Sequence, residues 1–241
     1  MHLVASSIEK WIREQIAAAG AEGAVFGLSG GVDSAVVAGL CKRALDDRCL
    51  AVIMPCYSNS LDVEHARLVA ETFQVPYTTV DLSSTFDTLL KELNNHLIGT
   101  GTIPRGAVAN IKPRLRMTTL YFYAACYNYL VMGTGNRSEI AIGYFTKYGD
   151  GGVDLEPIGH LLKEEVRELA AYLGVPEVII NKAPSAGLWK GQTDEGELGF
   201  TYAQLDHYLK FQEAPPEIKA KIEALQRASE HKRRMPPIPT T

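Results

Sequence analysis

Apolar positions along the chain fall into two alternating patterns, helically spaced stripes and short uninterrupted runs. Ile8, Trp11, Ile12 and Ile16 recur at helical spacing and predict an amphipathic helix ending at Gly20. The run Ala24–Leu28 (AVFGL) predicts a buried strand, followed by Ser29-Gly30-Gly31 and a helix through SAVVAGLCKRAL. LAVIMP (Leu50–Pro55) predicts a second strand, and a helix from Leu61 to Phe73 follows, with Asn59 or Ser60 as its cap. Asp62 and Glu64 in its first turn suit the helix dipole. YTTVDL predicts a third strand and Thr85–Leu97 a helix. Strand and helix thus alternate, which predicts a doubly wound α/β fold: a mainly parallel sheet with helices on both faces.

Beyond the loop Gly99–Gly106, Pro113 is expected to open a long helix, PRLRMTTLYFYAACYNYL, because proline fits the first helical turn. Leu130–Thr134 predicts a further buried strand. Helices are expected at Lys163–Leu173, stopped by Gly174, and at Pro216–Glu230. Ser185–Gly199 is glycine-rich and polar and predicts a loop. No repeat or linker interrupts residues 1–241, so one domain is expected.

Charge excludes some partners. With 24 basic and 28 acidic residues, net charge −4, the chain lacks the basic surplus that a nucleic-acid footprint needs. The four cysteines (Cys41, Cys49, Cys56, Cys126) form no C-x-x-C pair, which predicts reduced thiols rather than a disulfide framework or a zinc site. No apolar run is long enough to span a bilayer, and the N-terminal segment lacks the apolar core of a signal peptide, so a cytoplasmic protein is expected.

The strongest chemical signal is FGLSGGVDS, Phe26–Ser34, between a strand and a helix. Small residues let the backbone approach a ligand, and free N–H groups at the helix start make a polyphosphate cradle. The Walker pattern is absent. A carboxylate, Asp33, beside such a cradle makes sense when a cation bridges it to phosphate, as magnesium does. Arg114 and Arg116 offer guanidinium forks suited to phosphates.

This loop resembles the S-G-G-x-D-S loop of the N-type ATP pyrophosphatases, which cleave ATP between its α and β phosphates. On the loop alone, GMP synthetase, asparagine synthetase, argininosuccinate synthetase and tRNA-thiolating enzymes are all candidates. NIKPRLRM, GTGNRSE, GYFTKYGDGGVDLEPIGHLLKEEVR, APSAGLWKGQTDEGELGFTY and the late His231-Lys232 are together similar to ammonia-dependent NAD synthetases, in that family's order. The resemblance implies ATP contacts from Gly27, Leu28, Ser29, Gly30, Gly31, Val32, Asp33, Ser34, Thr134, Lys163 and Ser185. It implies magnesium on Asp33 and Glu139, and the substrate deamido-NAD on Arg114, Lys147, Asp154, His231 and Lys232. No residue is assigned as an acid or base.

The implied reaction is a ligation. The nicotinate carboxylate attacks the α-phosphate of ATP to form an acyl-adenylate, and ammonia then displaces AMP to give NAD. A homodimer is also implied. Glutamine-dependent relatives carry an amidase domain for which this sequence leaves no room, so free ammonia or a separate glutaminase is the expected nitrogen source. Ser185–Gly199 and Tyr148–Gly152 are expected to act as lids over the adenylate. Two rival readings have their own signatures. A tRNA-thiolating enzyme would carry a reactive cysteine pair and a basic face, and a nucleotide sensor would have eroded Asp33, Glu139 or Lys163; the sequence shows neither. The prolines after Arg234 predict an extended tail, and truncation after Ser229 is expected to keep the melting temperature while weakening deamido-NAD binding.

Overall fold

Uninterrupted apolar runs become adjacent parallel strands. The computed structural model describes residues 1–98, 101–185, 187 and 191–239. Helix α1 (His2–Ala18) leads into β1 (Gly23–Gly27), α2 (Val32–Leu45), β2 (Cys49–Ile53), α3 (Ser60–Phe73), β3 (Tyr77–Thr79) and α4 (Ser83–Asn95). Then come α5 (Arg105–Ala109), α6 (Ile111–Tyr127), β4 (Tyr129–Met132), α7 (Arg137–Ile142), α8 (Lys163–Leu173) and α9 (Glu177–Ile180). Helices α10 (Asp194–Leu198), α11 (Tyr202–Phe211) and α12 (Pro216–Ser229) follow, with a 3-10 turn at Glu230–Lys232. The sheet order is β3-β2-β1-β4 with every pairing parallel.

Both faces of the sheet are covered, as the runs require. Ala24 and Phe26 of β1 pack into one layer with Ile12, Leu40, Val69 and Leu169, from α1, α2, α3 and α8. Val25 points the other way, into a layer with Phe86 of α4 and Leu120 and Ala124 of α6. Fully burying a side chain the size of Phe26 or Leu40 contributes about 1.5–3 kcal/mol. A third cluster, Ile142, Phe200, Leu205, Tyr208 and Ile222, joins α7, α11 and α12. From β1 the chain moves outward to β2 and β3 and then returns to β4 on β1's other side. This order makes a switch point, where a crevice opens beyond the carboxyl ends of the strands.

Some boundaries differ from expectation. Helix α6 starts at Ile111, so Pro113 is its third residue, still in the first turn where proline is tolerated. Asn128, at φ 54°, ends it in a left-handed cap, so β4 begins at Tyr129 and the expected helix over 113–130 is too long. Residues 194–198, expected as loop, form α10. The rest of the expected lid Ser185–Gly199 lies in part outside the described residues, as do residues 99–100 of the expected loop.

Candidate active site

The loop after β1 is braced by its own side chains. Ser29 N donates to Ser34 Oγ at 3.2 Å, the two serine hydroxyl oxygens lie 3.0 Å apart, and Ser34 Oγ donates to Gly31 O at 3.0 Å. Gly30 adopts φ +75°, and a Cβ there would lie 2.3 Å from the Asp62 carbonyl oxygen on α3, so only glycine fits. Gly31, the extended N-cap of α2, brings no capping side chain. The first-turn N–H groups of α2 are therefore left for a ligand, and an anion is what they favour.

At the mouth of this cradle the ends of β1 and β4 bring opposite charges together. Lys163 Nζ donates to Asp33 Oδ2 at 2.6 Å and to Glu139 Oε1 at 3.0 Å. Lys163 sits at the start of α8, where its amide donates to Ser138 Oγ at 3.1 Å and the Glu164 amide to Asp206 Oδ2 at 3.0 Å. Asn136 Nδ2 donates to Asp33 Oδ1 at 2.8 Å, while the same side chain caps α7 by accepting from Glu139 N at 3.0 Å. The Lys163 ammonium also lies 4.9 Å over the Tyr202 ring. Burial works against the Lys163 charge, but Asp33 and Glu139 together outweigh it and hold the amine protonated, its pKa raised. Burial pushes the Glu139 carboxyl up to about 7, against the pull of Lys163.

A cavity of about 470 Å³ opens over this cluster. Of the residues proposed from sequence, Gly27, Leu28, Ser29, Gly31, Val32, Asp33, Ser34, Thr134, Glu139, Lys163, Ser185 and Lys232 line it, whereas Gly30 forms the loop behind the lining. Arg114, Lys147, Asp154 and His231 lie outside it. Three of them are chained together: Arg114 Nη2 donates to Lys147 O at 3.4 Å, and Lys147 Nζ donates to His231 O at 2.8 Å. Asp154 is tied elsewhere, accepting from Val131 N at 2.8 Å and Tyr121 OH at 3.0 Å. Lys232 reaches the cavity wall by donating to Gly143 O and Phe145 O, both at 2.7 Å.

Further groups line or support the site, and of these the sequence offered Arg116, as a guanidinium fork for phosphate. Arg116 lines the cavity and donates to Met54 O at 3.1 Å and Ser58 Oγ at 3.4 Å. Lys182 and Asp62 also line it, as a pair. Glu156 stands behind the loop after β4, accepting from Gly135 N at 3.0 Å, with burial raising its pKa to about 8. Asn136 had a local signature as well, an N-cap residue three positions before Glu139.

Comparison with known proteins matches this geometry to a family. The chain is 56% identical over 230 residues to an NH(3)-dependent NAD(+) synthetase of Carboxydothermus hydrogenoformans, covering 95% of this chain and 93% of that one. Among solved structures, an NMN synthetase from Francisella tularensis superposes with a TM-score of 0.94 at 36% identity, covering 100% of this chain and 98% of that one. An NH3-dependent NAD synthetase from Campylobacter jejuni, in complex with the nitrate ion, gives 0.83 at 31% identity, covering 99% of both. The NAD synthase family model matches residues 4–236, and the chain belongs to that family.

Proposed function

We propose that this chain is a C–N bond-forming ligase that amidates deamido-NAD with ammonia at the expense of ATP, giving NAD, AMP and pyrophosphate. The observation that carries this reading is the cradle of Gly27–Ser34 with Asp33, Lys163 and Glu139 gathered at its mouth, at the carboxyl edge of a parallel sheet. Loop amides and the Ser29 and Ser34 hydroxyls hold the phosphates, Thr134 and Ser185 flank them, and Lys163 sets a fixed positive charge where the α-phosphate reacts. The nicotinate carboxylate attacks that phosphorus, pyrophosphate leaves, and ammonia then attacks the acyl carbon and expels AMP. The protein's contribution is positioning and charge stabilisation.

Asp33 and Glu139 fit magnesium, which takes one or two carboxylates together with substrate phosphates. Both carboxylates already share one cation, Lys163, so they converge on one point. Magnesium would supply neutralisation of phosphate charge. Arg114, Lys147, Asp154 and His231, outside the cavity, are assigned to the dinucleotide at the interface of a homodimer, with Lys232 joining them from the cavity wall. The reaction is assigned to the cytoplasm, consistent with buried free thiols at Cys41, Cys49 and Cys56 and with no described helix long and apolar enough to cross a membrane. Ammonia is assigned as the nitrogen donor, as the name of the NH(3)-dependent relatives implies, and it arrives free or from a separate glutaminase.

A second reading has one observation in its favour, the 0.94 TM-score to an NMN synthetase. On it, the acceptor is the nicotinate mononucleotide and the product NMN. Incubation with ATP, magnesium, ammonium and an equimolar mixture of both acids distinguishes the two. The main reading expects NAD to form first; NMN as the faster product would replace it, and no consumption of either acid would end both.

A further inference from the structure

Lys182 is delivered to the back of the phosphate loop by its own part of the fold. Helix α9 is anchored by Ile179, fully buried in the main core, and the Lys182 amide donates to the Ile179 carbonyl at 3.3 Å. From there the ammonium donates to Gly30 O at 3.1 Å and to Asp62 Oδ1 at 2.5 Å. Asp62 lies in the first turn of α3, capped by Asn59, whose Oδ1 accepts from Leu61 N at 3.1 Å. Both side chains line the cavity and are partly exposed to it, 26% for Lys182 and 28% for Asp62. An ammonium has three N–H donors, and these contacts use two.

A carboxylate beside a polyphosphate cradle repels its ligand unless a cation stands with it. Lys163 is already engaged by two carboxylates, whereas Lys182 answers to one carboxylate and one carbonyl. We propose that Lys182 binds the β- and γ-phosphates of ATP and carries the pyrophosphate as it leaves, a role that rests on reading the cradle as the ATP site. As the acceptor's carboxylate oxygen bonds to the α-phosphorus, the bond from that phosphorus to the bridging oxygen breaks. Its electron pair goes to pyrophosphate, so charge grows where Lys182 stands. Asp62 holds the ammonium beside Gly30 and competes with phosphate for it.

The two partners therefore have opposite effects when removed, and two variants of the full chain test this. ATP affinity with magnesium is measured by calorimetry, and inhibition of amidation by inorganic pyrophosphate by steady-state kinetics. Lys182→Met is expected to weaken both by about tenfold or more, the usual scale for a charge-assisted contact. Asp62→Asn is expected to tighten pyrophosphate inhibition, since it frees the lysine. If the pair were only a strut between the loop and α3, both variants would lose affinity and melting temperature together, and that result overturns the proposal. So does unchanged pyrophosphate inhibition in folded Lys182→Met. Should that variant fail to fold, Asp62→Asn decides alone: tighter inhibition supports the role, and equal or weaker inhibition rejects it. A wild-type chain that bound no ATP would bring down the reading of the site and this proposal with it, whereas normal wild-type binding with indifferent variants brings down the proposal only.

Discussion

Lys163 is buried and charged, Glu156 is half-buried and close to neutral, and the difference lies in their partners. Two carboxylates hold the lysine's proton on, whereas Glu156 has one backbone N–H, from Gly135, and like charges at Glu139 and Asp150 nearby. Burial is the main reason its carboxyl rises from 4.5 to about 8, and burial likewise takes Glu139 to about 7. Both folded values lie above the unfolded ones. As pH rises from about 4.5, the unfolded chain releases protons that the folded chain keeps, so these groups lower stability progressively until about 8 and no further. Glu156→Gln keeps an acceptor for Gly135 N and removes the titration. It is expected to stabilise the fold by on the order of 2 kcal/mol at pH 8.5 and by almost nothing at pH 5. Denaturant titrations at the two pH values check this; a stability difference independent of pH would show that Glu156 is ionised at no cost.

Helix α7 is short, Arg137–Ile142, and its place in the site depends on its cap. Asn136 is fully buried, holds the helix start through Glu139 N, and gives its amide N–H to Asp33. Asn136→Ala is expected to cost about 1 kcal/mol for the cap. Asn136→Asp keeps a good cap but sets a carboxylate against that of Asp33, so its amidation rate is expected to fall roughly tenfold further than that of the alanine variant. A faster aspartate variant would mean that the cap, not the contact to Asp33, is what matters. How legible each element was follows from its length and its neighbours. Strands β1 and β2 were readable because their apolar runs are bounded by turn residues. The α6–β4 junction was not, because aromatic residues continue across Asn128 and only its left-handed backbone breaks the helix. Helices of four to six residues, α5, α7, α9 and α10, span too few turns to show a period. The phosphate loop was readable as a local motif. Its partners come from the fold, since Asn136 and Lys163 stand 103 and 130 residues from Asp33, and Lys182 stands 152 from Gly30.

The turn after α12 is tied into the molecule rather than hanging from it, with Lys232 in the cavity wall. The sequence led to the expectation that truncation after Ser229 spares the melting temperature, and the structure argues against it. Lys232 holds the carbonyls of Gly143 and Phe145, and Arg233 donates to Ile140 O at 3.1 Å and Gln226 O at 2.7 Å, stapling α12 to the end of α7. Hydrogen bonds to charged groups contribute about 1.5–3 kcal/mol each, and about 2–4 °C accompanies each kcal/mol in a chain of this size. Truncation is therefore expected to lower the melting temperature by at least about 5 °C, and a truncated chain melting with the full one would return the tail to solvent. Whether the site joins a carboxylate to AMP is read from an isotope. Deamido-NAD labelled with ¹⁸O in its nicotinate carboxylate is incubated with ATP, magnesium and ammonium, and the phosphorus products are read by ³¹P NMR. AMP is expected to carry one labelled oxygen, with unlabelled pyrophosphate and NAD in equal amount; label in orthophosphate, with ADP as the nucleotide product, would rule out the acyl-adenylate.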